Sequence, residues 1–344
     1  MGTLKERAGI FCCLLMIFYL ISSSSLWAVK KASIIICAET GKVLHENNAD
    51  AVTPPASLTK MMTLYLTFKA LREKRLTFEQ KLPVSKRASL AAPCKLWLKS
   101  GAVITVRDAI LGMVTKSAND ASIAVAEKLA KGSESQFATL MTQQARRLGM
   151  SKTVFRNSHG LPEKQQSVTT ARDMAILSQR LYKDFPEYFK FFKEPKFAYQ
   201  GQVHQNHNRL LGKVPGLDGI KTGFINASGF NLAASVVRNN RRIIAVVMGG
   251  ESAKARDKEM VKLLDATYSN LRGEKTPSKG KKLTAVHRSQ SKSKILKTTA
   301  SPKYRDVEHL LNNLDGQKSS PKKIQKKFKP VSNKKKKVSK MRKA

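Results

Sequence analysis

The chain has 344 residues, room for one large domain or two ordinary ones, and its 41% apolar content supports a substantial core. The formal charge of +40 is unevenly spread, because residues 273–344 hold 23 Lys/Arg against 4 Asp/Glu. Composition therefore excludes a chain disordered throughout, and the six histidines form no HExxH-like pair, so neither a metal nor another cofactor is implied.

The N-terminus reads as an export signal. Lys5 and Arg7 precede an uninterrupted apolar run, Ile10 to Ile21, followed by SSSS and the small residue Ala28. As a helix, a dozen residues span about 18 Å, short of a bilayer core of roughly 30 Å. We read residues 1–28 as a cleaved signal peptide, with an uncleaved anchor as the second reading. The expected location is then periplasmic or cell-envelope, the outer face of the cytoplasmic membrane included. Cys12 and Cys13 fall in this segment, and Cys37 and Cys94 remain, either as one disulfide or as two free thiols.

Beyond the signal, ASIIICAETGKVLHENN predicts two strands, Ser33–Cys37 and Lys42–Glu46, around a Thr-Gly turn, with Cys37 in the core. Ser57 to Leu71 predicts a helix apolar on all sides and therefore buried. Helical spacing recurs over 106–116, 120–132, 135–150 and 169–185, the last capped by Thr169 or Thr170. GIKTGF, GFNLAASVVR and RRIIAVVMGG predict strands, the last two joined at Asn239-Asn240, and a helix over Ala253–Leu271 follows. Strands at both ends with helices between them predict a single α+β domain over 29–272, its antiparallel sheet built from N- and C-terminal strands against a helical subdomain. From 273 to 344 the chain is basic, low in complexity and expected to be disordered, apart from an amphipathic island, VEHLLNNL.

The chemistry centres on PPASLTKMMTLYL. Ser-x-x-Lys alone means little, since the tail repeats it at Ser278/Lys281, Ser289/Lys292, Ser320/Lys323 and Ser332/Lys335. Ser57 is also a plausible helix N-cap. Only Ser57 and Lys60, however, begin a buried helix, where one turn sets them on the same face and desolvation favours a neutral amine. Ser117-Ala118-Asn119 follows, and by itself reads equally well as punctuation between helices. Lys221-Thr222-Gly223 comes next on a predicted strand, with a glycine where a substrate backbone could approach.

Those three motifs, in this order, are the set of penicillin-binding proteins and class A β-lactamases. With the strings SANDASIAVAE, FRNSHGLP and DGIKTGFINASGFNLAAS, residues 30–271 resemble the serine-type D-alanyl-D-alanine carboxypeptidases. The resemblance implies removal of the terminal D-alanine from peptidoglycan stem peptides ending in D-Ala-D-Ala, with β-lactams as inhibitors and no cofactor. It assigns Ser57 as nucleophile, Lys60 as general base and Ser117 as proton relay. It gives Asn119 the substrate amide, Lys221 the supporting positive field and Thr222 the terminal carboxylate. Gly223 lets the substrate lie along the strand, and the amides of Ser57 and Phe224 form the oxyanion hole. His159 falls in the loop string and reads as a cleft-wall residue used for packing or loop closure.

Three rival readings remain. A class A β-lactamase places Glu-x-x-Leu-Asn between the second and third motifs, whereas here Glu308-His309-Leu310-Leu311-Asn312 lies after the third. The charge alone would suit a nucleic-acid binder, but an exported chain has no nucleic-acid partner and no such motif appears. A non-catalytic cell-wall binder would not need all three reactive motifs. The basic tail is expected either to contact anionic membrane or cell-wall polymers, or to be merely solvated.

Overall fold

Ile34, Ile35 and Ile36 follow one another without a polar residue, and the strand they form is buried on both faces. The computed structural model describes residues 31–273; the predicted export segment, the VEHLLNNL island and the rest of the basic tail from residue 274 lie outside the described residues. The strands are β1 (Ala32–Cys37), β2 (Val43–Asn47), β3 (Lys81–Pro83), β4 (Val103–Thr105), β5 (Lys196–Tyr199), β6 (Gln202–Gln205), β7 (Leu217–Ile225), β8 (Gly229–Arg238) and β9 (Arg241–Gly250). The main helices are α1 (Lys60–Arg72), α2 (Val106–Thr115), α3 (Asn119–Leu129), α4 (Glu134–Arg147), α5 (Ala171–Asp184) and α6 (Ala253–Leu271).

Five strands form one antiparallel sheet in the order β2-β1-β9-β8-β7, so the first strand of the described region pairs with the last. The α+β class and the sheet built from both ends are as the sequence predicts. Period-2 alternation divides the sheet between two cores. Ile34, Ile36, Ile244, Val246 and Met248 face the helices α1–α5, while Ile35, Ile243, Ala245 and Val247 face Met260, Leu264 and Tyr268 of α6. That two-sided burial explains why RRIIAVVMGG reads as one apolar run rather than as an alternation. Asn239 and Asn240 both have positive φ, 51° and 56°, as a two-residue hairpin between right-twisted strands requires.

Capping follows residue chemistry. The hydroxyl of Thr170, not that of Thr169, accepts the Asp173 N–H at the start of α5, and Ser252 caps α6 in the same way. Two features depart from expectation. The predicted helix from Ser57 begins as a 3-10 turn, Ala56–Thr59, and turns α-helical only at Lys60. The short strand pairs β3–β4 and β5–β6, with three or four residues per strand, carry too little pattern to be seen in the sequence. Among the described residues, no helix is long and apolar enough to cross a membrane.

Candidate active site

The 3-10 turn decides what Ser57 can do. Ala56 enters it at φ 49°, a left-handed conformation that costs a non-glycine residue of order 1 kcal/mol. No side chain caps the turn or α1, so Ser57 is not the helix cap that its position suggests. Its half-buried hydroxyl instead accepts a hydrogen bond from Lys60 Nζ at 3.2 Å. The same amine donates to the backbone carbonyl of His159 at 2.9 Å. Two glycines admit this geometry. A Cβ on Gly160 would lie 1.9 Å from the Ala56 carbonyl oxygen, and one on Gly223 would lie 3.1 Å from the Ser57 nitrogen.

Lys60 is fully buried, and among the described residues no carboxylate is bonded to it. Burial, reinforced by the nearby Lys221 charge, holds its pKa well below the ordinary 10.5. Lys221, 1% exposed on β7, donates to its neighbour's carbonyl, Thr222 O, at 2.9 Å, and burial brings it down to about 7. Two amines share one dry site. Holding a proton is costly on both, and Lys60 lies beside the Ser57 hydroxyl.

Ser117 lies in the turn between α2 and α3 at φ 60°, with its hydroxyl buried and unpartnered among the described residues. Asn119 opens α3. Its amide nitrogen donates to Ala92 O at 3.0 Å, while its buried Oδ1 has no partner among the described residues. An orphaned buried acceptor of this kind costs about 1–3 kcal/mol unless something fills it. Both atoms border a cleft of about 290 Å³ lined also by Ser57, Thr222, Gly223 and Phe224. All eight residues singled out in the sequence therefore converge, six on the cleft and Lys60 and Lys221 beneath it.

The cleft has further members. Pro93 and Cys94 line it from a loop held by Asp120, whose buried carboxylate accepts the N–H groups of Leu96 and Leu98. Arg209 and Arg256 add cationic side chains, and Phe230 stacks on the half-exposed Phe224 with centroids 4.1 Å apart. No local motif marks these positions, because each reaches the cleft by long-range packing. Cys37 and Cys94 are both free thiols. Cys37 is only half-buried and donates to Glu39 at 3.2 Å, so it is not the core residue its strand suggests. His159 also departs from expectation: its ring is buried away from the cleft, 3.5 Å from Glu134, and only its carbonyl serves the site. The described residues hold one group of potential metal donors, Glu134, His159 and Glu163, but the Arg87 guanidinium lies across both carboxylates.

Comparison with known proteins agrees with this fold. A model of the D-alanyl-D-alanine carboxypeptidase family matches residues 23–252. D-alanyl-D-alanine carboxypeptidase DacF of Bacillus subtilis is 32% identical over 280 residues, which cover 79% of this chain and 70% of that protein. DacC of Escherichia coli is 38% identical over 68% of this chain, a match that spans 60% of its own length. Among solved structures, penicillin binding protein 5 from Haemophilus influenzae superposes with TM-score 0.67 at 32% identity, covering 70% of this chain and 71% of that one. A penicillin-binding protein from Listeria monocytogenes with ampicillin bound gives TM-score 0.64 at 32% identity, covering 71% and 98%. By fold, motif order and sequence, the chain belongs to the D-alanyl-D-alanine carboxypeptidase family.

Proposed function

We propose that this protein is a serine-type D-Ala-D-Ala carboxypeptidase that trims peptidoglycan stem peptides through an acyl-enzyme on Ser57. The observation that carries the reading is the buried Lys60 amine, hydrogen-bonded to the Ser57 hydroxyl at 3.2 Å and, among the described residues, to no carboxylate. As Ser57 Oγ attacks the carbonyl of the penultimate D-alanine, Lys60 takes its proton. The oxyanion that forms is met by the amides of Ser57 and Phe224. Ser117 passes a proton to the departing amine and takes back the one that Lys60 received from Ser57, so D-alanine leaves neutral at nitrogen and Lys60 is neutral again. Water then attacks the ester carbonyl, giving a proton to Lys60; the C–O bond to Ser57 breaks, that proton returns to Oγ, and the shortened peptide leaves with a free carboxyl group.

Substrate binding follows from the remaining groups. The free Oδ1 of Asn119 accepts from the substrate amide. Thr222, with the positive field of Lys221, Arg209 and Arg256, receives the terminal carboxylate. The peptide lies extended along β7, where Gly223 leaves space. β-Lactams imitate the D-Ala-D-Ala terminus and should acylate Ser57 slowly enough in hydrolysis to inhibit. We further propose export to the cell envelope, on the strength of the basic start and apolar run of residues 1–28.

Fluorescent penicillin followed by peptide mass spectrometry tests the reading. Label is expected on Ser57 and absent from Ser57→Ala, and the wild type should release D-alanine from a D-Ala-D-Ala pentapeptide. Label on another residue would sink the mechanism. Rapid turnover of the adduct would point to a β-lactamase instead.

A further inference from the structure

Glu134 lies outside the cleft, and the mechanism above does not use it. It is 5% exposed at the start of α4 and sits under the loop that holds Lys60. Its Oε1 accepts both the Ser158 N–H at 3.0 Å and the Ser158 hydroxyl at 2.6 Å. Its Oε2 accepts Arg87 Nε at 2.7 Å, and the same guanidinium reaches Glu163 at 3.0 Å. The Ser158 carbonyl is gripped from the other side by the hydroxyls of Thr63 on α1, at 2.6 Å, and Ser122 on α3, at 2.7 Å. One residue on, the His159 carbonyl accepts Lys60 Nζ. A single rigid segment thus joins the Glu134 carboxylate to the amine beside Ser57.

The charge states fit. Leu161 N–H donates to His159 Nδ1 at 3.2 Å, so the ring proton sits on Nε2, toward Glu134. Burial lowers His159 to about 4, which leaves the ring neutral at pH 7. Burial pushes Glu134 up, but His159, charged only in the acid range where the carboxyl itself titrates, together with the two Ser158 donors and Arg87, outweighs it and holds the carboxyl below the ordinary glutamate value. Glu134 is therefore an anion under a neutral ring.

We propose that Glu134 is a positioning residue for Lys60: it fixes the Ser158–His159 segment whose carbonyl holds the amine against Ser57, and its carboxylate adds to the field under that amine. The inference rests on the proposed role of Lys60 as base. The other groups acting on Lys60 are Lys221 from β7, Cys94 from the loop before α2 and Asp120 from α3. Those facing Glu134 are His159, Arg87 and Glu127, with Glu163 across the guanidinium.

The test is the rate of Ser57 acylation by fluorescent penicillin as a function of pH, on the full chain. Glu134→Gln keeps the size and an oxygen for Ser158 but removes the charge. Without that anion the ammonium form of Lys60 is less favoured, so the rising limb should move to lower pH by about one unit. The plateau should fall roughly tenfold as the segment loosens. Arg87→Met does the reverse, exposing Lys60 to a less neutralised carboxylate, and the limb should move upward. A merely structural contact would slow both variants without opposite shifts. An unmoved limb in Glu134→Gln overturns the inference; if that variant fails to fold, an unmoved or lowered limb in Arg87→Met overturns it. Wild-type label absent from Ser57 would bring down the proposed function as well, which separates the two failures.

Discussion

The two walls of the cleft are built on opposite principles. On the helical side, Ala56 and Ser117 hold left-handed backbone, and Thr59, Ser117 and Asn119 keep buried polar atoms without partners among the described residues. On the strand side, Lys221, Thr222, Gly223 and Phe224 pair in regular antiparallel register with Ala233, Leu232, Asn231 and Phe230. On the proposed mechanism, strain and unmet hydrogen bonds are concentrated where bonds would be broken, and regular backbone where a peptide would be aligned. Reactivity and recognition are thus separable, and substitutions on each wall should fail differently.

The largest effect should come from the helical wall. Lys60→Ala should reduce Ser57 acylation by about 10²–10⁴-fold, measured as the second-order rate with fluorescent penicillin. Lys60→Arg should be no better, because a guanidinium does not give up its proton. Acylation within threefold of wild type in either variant would remove Lys60 from the mechanism.

Next is the charge hidden beneath the strand wall. Lys221 is lowered from 10.5 to about 7 by folding, so the unfolded chain binds the proton more tightly. The destabilisation is present in full below about pH 7 and is relieved as pH rises from about 7 to 10.5. Lys221→Met should therefore stabilise the fold by on the order of a few kcal/mol at pH 7 or below, and progressively less toward pH 10. Thermal unfolding at several pH values measures this. A gain independent of pH would contradict the assignment.

Gly223 lies where the walls meet. A Cβ there would come within 3.1–3.2 Å of the nitrogens of Ser57 and Leu58 and the Pro55 carbonyl, so Gly223→Ala should push the nucleophile's turn outward. Misplacement on that scale costs about 10²-fold in acylation, with thermal stability changed far less. The smallest effect tests the strain. Ser117→Gly removes the side chain from a φ of 60° and should raise stability by about 1 kcal/mol while slowing D-alanine release. A stability loss would show that the Ser117 backbone is not strained.

Much of this was legible in the sequence, for specific reasons. Ser57/Lys60, Ser117/Asn119 and Lys221–Gly223 could be found because each is a short motif and the order of the three is discriminating. The sheet strands were visible because two-sided burial makes β1 and β9 continuous apolar runs. What escaped notice acts through backbone or across long separations. Ser57 looked like a cap because a serine ahead of an apolar run usually is one, and nothing local announces a 3-10 turn. His159 matters through its carbonyl, which no side-chain pattern encodes. Cys94 enters the cleft because Asp120, twenty-odd residues away, grips Leu96 and Leu98. Glu134 stands in the first turn of α4, where an acidic residue is ordinary, and only packing reveals Ser158 and Arg87 upon it.

The central claim is that a neutral Lys60 activates Ser57. Its most direct test is an NMR titration of lysine Nζ in labelled protein, with the Lys60 resonance assigned by its loss in Lys60→Arg. The account predicts a titration well below 10.5. A Lys60 that titrates near 10.5 would leave Ser57 without its base and would contradict the account.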